Sequence, residues 1–164
     1  MLLNEDITVF HWLAMMRIVI GLWWIKSVLH KEYPKFVKSG MMSWVNGLLD
    51  NHPIQPAVKP LKAIINFQPT IFPYLIVFGE LGIGIGLTFG FLTPLAAIAA
   101  ILLNLNYLAI AGAKPKDLSV NPCFRVEQGQ NIAMIAAELV IFAAAAWTEL
   151  SVDSALGWFE SSLI

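Results

Sequence analysis

The sequence predicts an all-α membrane protein: a four-helix bundle with amphipathic interfacial helices between spans one and two and a short amphipathic helix at the C-terminus. Two observations carry that fold class. Of 164 residues, 58% are hydrophobic and only 13% charged, with mean hydropathy +0.71, far from the soluble average of about 25% charged residues. The apolar residues are also gathered into stretches able to cross a bilayer, which takes ~20 mostly apolar residues at 1.5 Å rise each. These are residues 9–28, 71–91, 94–112 and 130–147. At this length residues 1–164 read as a single domain.

Taken in order, the first ten residues carry Glu5 and Asp6 but no Lys or Arg. They lack the basic region of a cleaved signal, so span one is expected to be retained. It runs to Tyr33-Pro34, where the pre-proline residue disfavours helix. Val37, Met41, Trp44, Val45 and Leu48 then recur at helical spacing, which predicts an amphipathic interfacial helix ending at Asn51-His52-Pro53. A second short helix is expected over 60–67, with Pro60 in its first turn. These helices read as a lid over one end of the bundle, or as a partner-docking surface. Span two follows Gln68-Pro69, with Pro73 in the tolerant first turn. The short turn to span three makes those helices antiparallel neighbours. The third connection, 113–129, is polar and punctuated by proline, and reads as a loop. After Trp147 the tail looks amphipathic, with Trp158 and Phe159 suited to a headgroup zone.

Charge sets the orientation. Of ten Lys and Arg residues, eight lie in two alternate connections: Lys31, Lys35, Lys38, Lys59 and Lys62, then Lys114, Lys116 and Arg125. Glu5, Asp6, Glu149, Asp153 and Glu160 gather on the opposite side. The positive-inside rule therefore places the basic loops in the cytoplasm and both termini outside. A net charge of −1 gives no reason for nucleic-acid binding, and a lone Cys123 excludes an internal disulfide or a CxxC pair.

Each span carries a polar residue near mid-depth. Counted from the outer ends, Arg17 lies roughly 12 Å down, Glu80 roughly 16 Å, and Asn104 and Glu138 roughly 15 Å. Tyr107 shares the face of Asn104, Asn131 the stripe of Glu138, and Trp24 the stripe of Arg17. A charge facing lipid alone costs on the order of 3 kcal/mol. The three are therefore expected to turn inward, with Arg17 bridging Glu80 and Glu138. One carboxylate is then left over as a candidate proton carrier. Lys26 is placed to snorkel towards the interface. Two meanings stay open for this cluster: hydrogen-bonded glue between helices, or a functional proton or ligand site.

Gly79, Gly82, Gly86 and Gly90 form one stripe on span two, predicting close approach of a neighbouring helix. The Ala-rich faces at Ala96, Ala97, Ala100, Ala133 and Ala137 are plausible partners. His11 and His30 lie at opposite ends of span one and His52 in a loop, so they cannot share a metal. No metal site is expected. Haem or pigment ligation by His11 or His30 is a minor reading.

The segments RIVIGLWWIKSVLHK, MMSWVNGLLDNHP, FGELGIGIGLTFGFLTPLAA and LLNLNYLAIAG, with QNIAMIAAELVIFAAAA and LSVDSALGW, carry a family pattern over most of the chain. In these the sequence resembles the DoxX family, including its DoxD-type members. Arg17, Gly21, Glu80, Asn106 and Tyr107 occupy motif positions. The family's Gly-Arg pair after the last span is replaced by Trp147-Thr148-Glu149, while Asp153 is kept. The resemblance implies an integral subunit of a quinone-linked oxidoreductase in a prokaryotic plasma membrane, of the thiosulfate:quinone type. Electrons would enter through partner subunits or directly from a bound substrate. Arg17, Glu80 and Glu138 would then form the proton or ligand cluster, with Trp24, Asn104, Tyr107 and Asn131 as contacts for a quinone. The alternative is a non-catalytic accessory subunit of a larger respiratory or photosynthetic complex. A small transporter fits less well, because no inverted repeat is evident.

Overall fold

A computed structural model describes residues 7–159. Within them every regular element is helical: α1 Val9–Leu29, α2 Tyr33–Lys35, a π-helical turn Phe36–Gly40, α3 Met41–Asp50, α4 Gln55–Asn66, α5 Phe72–Phe89, α6 Thr93–Ile110, α7 Phe124–Ala143 and α8 Val152–Ala155. Glu5, Asp6 and Glu160, three of the acids used to orient the chain, lie outside the described residues.

Helices α1, α5, α6 and α7 close a ring: α1 packs on α5, α5 on α6, α6 on α7, and α7 back on α1. Residues 90–92 turn directly from α5 into α6, which makes those two antiparallel neighbours, whereas α2, α3 and α4 lie between α1 and α5 in the chain. Helices α1, α5 and α6 are long and apolar enough to cross a membrane. The fourth, α7, starts before the expected span, because Arg125 to Gly129 continue the helix rather than forming loop. Phe124 is buried at its start, and Asn131 bonds back to the Glu127 carbonyl. It also stops short of Trp147. Ala145 takes a left-handed φ of 49°, which turns the chain over the end of the bundle.

The interfacial layer differs from expectation in two details. Pro34 opens a helix instead of ending one, because α1 has already stopped at Leu29 and proline fits the first turn of α2. Helix α4 begins at Gln55 with Pro56 in its first turn, so Pro60 falls inside it and removes one ladder bond. The α3–α4 hairpin is held by the Lys62–Asp50 ion pair and by Asn46–Asn66 amide bonds. Its corner is tied to the bundle. The Lys116 N–H donates to the Asn51 carbonyl at 2.8 Å, and the buried His52 Nε2 lies 2.9 Å from the Ala109 carbonyl. The hairpin's apolar face is buried against the first turns of α5 and the end of α6.

The glycines are used differently from the predicted stripe. A Cβ on Gly21 or Gly84 would collide with the backbone of the facing helix, so these two set the α1–α5 approach. Gly86 meets Ala96 of α6, and Gly90, at φ 66°, is the left-handed cap of α5. A Cβ on Gly79 or Gly82 would meet nothing within 4 Å. The stripe therefore splits: its outer half packs, and its inner half faces outward.

Candidate functional site

Two separate polar centres stand where one cluster was expected. Arg17 is fully buried, but it does not bridge Glu80 and Glu138. Its Nε donates to the Ala146 carbonyl at 3.0 Å, Nη1 to Leu87 at 2.6 Å and Nη2 to Leu150 at 2.7 Å. Side-chain direction explains the correction. Helical side chains lean towards their own N-terminus, so Arg17 on α1 reaches outward while Glu80 and Glu138, on antiparallel α5 and α7, reach inward. A similar Cα depth becomes a wide separation of the charged ends. The guanidinium arrives where α5 and α7 end, among carbonyls with no helical partner.

Asp153 completes this outer centre. It supplies countercharge to Arg17, and its carboxylate accepts the Leu92 and Thr93 N–H groups, each at 2.7 Å. It thus caps α6 from a distant part of the chain, where a negative group is favoured by the helix dipole. Sequence reasoning placed Asp153 in an amphipathic tail. Its signal was an acid just past the last span, on the same outer side as Arg17.

Towards the inner end, Glu138 accepts the Trp24 indole N–H at 3.0 Å and the Asn104 amide at 2.9 and 3.0 Å. Glu80, 1% exposed, lies seven residues from Leu87, about 10 Å along α5. It accepts the Tyr107 hydroxyl at 2.6 Å and forms a partly buried ion pair with Lys31. Lys31 also donates to the Ser27 carbonyl and hydroxyl at 3.3 and 3.1 Å. Both residues were missed as site members, because Lys31 was counted only as a loop charge. The signal was available: Trp24, Ser27 and Lys31 follow i, i+3, i+7, one face of α1 carried past its last residue.

These groups form the polar end of a cavity of about 620 Å³, within the range of about 300–1,000 Å³ usual for ligand sites. Trp24, Asn104, Tyr107, Asn131 and Glu80 line it, joined by Lys31, Ser27, Asn106 and Glu127. Apolar walls come from Trp23, Trp44, Leu61, Ile65 and Phe72, so the hairpin α3–α4 closes one side. Glu138 stands behind the wall, holding Trp24 and Asn104. Arg17 is absent from the lining. Trp24 and Tyr107 rings sit 6.5 Å apart at 33°.

The histidines lie elsewhere. His11 bonds with Thr8 at the start of α1, and His30 with the Lys26 carbonyl at 2.9 Å. His52 lies in the connection between α3 and α4, as expected, and is buried as the hairpin's anchor. Among the described residues no group of three His, Cys, Asp or Glu side chains could hold a metal ion.

Comparison with known proteins agrees with the motifs. The DoxX family model matches residues 12–112. That segment is more than half of the chain and contains Arg17, Trp24, Lys31, Glu80, Asn104 and Tyr107. No curated protein and no solved structure matches.

Proposed function

The chain belongs to the DoxX family of integral membrane proteins, and from that premise we propose that it is a quinone-linked oxidoreductase subunit whose intramembrane cavity receives the quinone headgroup. The observation that carries this reading is the cavity itself. It has apolar walls of bilayer character and one polar end built from Glu80, Lys31, Tyr107 and Asn104. A lipid-soluble carrier with a polar ring is the ligand class that needs both. Trp24 and Tyr107 would flank the ring, and the Glu80 carboxylate would accept a proton from its hydroxyl. Arg17 drops out of the chemistry, and Glu138 acts by holding Trp24 and Asn104.

The thiosulfate:quinone version requires partner subunits. The cavity pairs its one lysine with Glu80 and adds Glu127, a charge balance that disfavours a dianion. Thiosulfate would therefore be handled elsewhere in the complex. On the positive-inside rule the basic hairpin α3–α4 faces the cytoplasm of a prokaryotic plasma membrane and both termini lie outside. The test is binding of a short-chain quinone analogue to the full chain in nanodiscs, read by quenching of tryptophan emission. Saturable quenching that weakens about tenfold in Glu80→Gln supports the reading. Quenching no stronger than in empty nanodiscs with free tryptophan overturns it.

A second reading, an accessory subunit of a larger respiratory or photosynthetic complex, is favoured by Gly79 and Gly82. Their face of α5 is open, and small residues there leave room for a partner's helix. Loss of co-purifying subunits in Gly82→Leu would support it, and an unchanged complex would count against it.

A further inference from the structure

The donors and acceptors at the buried end of the cavity are not balanced. Each donor nitrogen or oxygen there has a protein partner. The Trp24 indole N–H and the Asn104 amide go to Glu138. The Tyr107 and Ser27 hydroxyls go to Glu80, at 2.6 and 3.4 Å. The Lys31 ammonium has three protons and three acceptors: the Ser27 carbonyl, the Ser27 hydroxyl and Glu80.

Acceptors remain. The orientation of the Asn104 amide is fixed by chemistry, because its nitrogen must face the Glu138 carboxylate. Its Oδ1 then has no partner among the described residues. Asn104 lines the cavity, and its Oδ1 is not one of the enclosed orphan atoms among the described residues, which are Thr88 Oγ1, Thr93 Oγ1 and Trp147 Nε1. Asn131 and Asn106 each give one amide proton to a backbone carbonyl at 2.8 Å and keep a second proton as well as an oxygen, so they add no bias to the balance. The Tyr107 oxygen keeps an unused lone pair, and Glu80 keeps carboxylate capacity beyond its present donors.

We infer that this cavity selects a headgroup that donates hydrogen bonds, an aryl hydroxyl, over one that only accepts them. Of a quinone and its quinol, the cavity holds the quinol more tightly. The inference rests on the cavity being an amphiphile site as proposed above. Its physical basis is an asymmetry. A carbonyl-only ring would meet lone pairs at the deep end and leave buried acceptors unpaired, whereas a hydroxyl pairs one of them, with a carboxylate among the choices.

The test avoids redox chemistry. Para-decylphenol and para-decylanisole differ by one methyl group, which removes the donor. Both are titrated against the full chain in nanodiscs, with tryptophan quenching as the readout and the lipid partition of each probe measured separately. The phenol is expected to bind about tenfold tighter or more after that correction, the size expected for a hydrogen bond to a charged or buried acceptor. Glu80→Gln is expected to narrow the ratio, because an amide replaces the carboxylate acceptor; Asn104→Leu is the second variant for the same purpose. Equal affinities for the two probes overturn the inference and leave the cavity reading standing. Absence of saturable binding by either probe overturns the cavity reading, and the inference with it. A phenol preference unchanged in both variants also overturns the inference, because selectivity would then arise outside this acceptor end.

Discussion

Arg17 and Glu80 are both buried charges on neighbouring apolar helices, and the molecule handles them in opposite ways. Arg17 meets three backbone carbonyls, Leu87 in the last turn of α5 and Ala146 and Leu150 in the segment after α7, with Asp153 as countercharge. Each of its nitrogens is used and it does not line the cavity that Glu80 lines, so the centre closes the outer end of the bundle. Glu80 is paired through side chains, with Lys31 and Tyr107, at the wall of a cavity of about 620 Å³. Backbone partners fix a charge in place, because they move only if the helices move. Side-chain partners beside a cavity can exchange for a ligand. Burial is therefore the same at the two centres, and the nature of the partners separates a lock from a site.

The largest effect that would break this comparison is at the lock. Arg17→Leu strands the Asp153 carboxylate and three carbonyls, and is expected to cost about 3–5 kcal/mol, read as a fall in thermal midpoint in detergent. Arg17→Lys is expected to recover little, because one ammonium cannot reach carbonyls spread as the guanidinium fork reaches them. A midpoint near that of the unsubstituted chain would show that the outer centre is no lock. Asp153→Ala comes next: loss of two cap bonds to α6 is expected to cost about 1–2 kcal/mol in the same assay.

Glu80→Gln sharpens the contrast from the other side. Lys31 sits at the edge of the cavity, with 15% of its side chain exposed, so its freed ammonium can turn towards the inner interface. Stability is expected to fall by less than in Arg17→Leu, by about 1 kcal/mol or under, while analogue binding falls about tenfold. The reverse pattern, a large stability loss with binding intact, would make Glu80 a lock as well. The smallest effect is at Gly82→Ala. Its Cβ meets nothing, so the helix propensity of alanine is expected to leave stability level or raise it by up to about 1 kcal/mol. Gly84→Ala, facing α1, is expected to lower it in the same melt.

Much of this was legible in the sequence. The spans follow from runs of apolar residues, and α1, α5 and α6 match theirs to within two residues at each end. Trp24, Glu80, Asn104, Tyr107 and Asn131 could be singled out because polar groups in such runs are costly and must find partners. Their partners were harder to read. Arg17 and Glu80 were placed together from Cα depth alone, which ignores the opposite lean of side chains on antiparallel helices. Lys31 was counted as a loop charge, since it lies past the end of α1. The glycine stripe was right in kind and wrong in members, because which glycine faces a neighbour depends on helix rotation.

What the sequence determined by itself is the class of the molecule: its helices, its membrane setting, its family and the polar residues it must bury. These follow from composition and period, which each segment carries locally. What only the tertiary structure decided is how those polar residues divide. Helix rotation, side-chain lean and the fold-back of residues 144–153 sent Arg17 to a backbone lock and left Glu80 at an open cavity. That division depends on which helix ends meet, and no single segment contains that information.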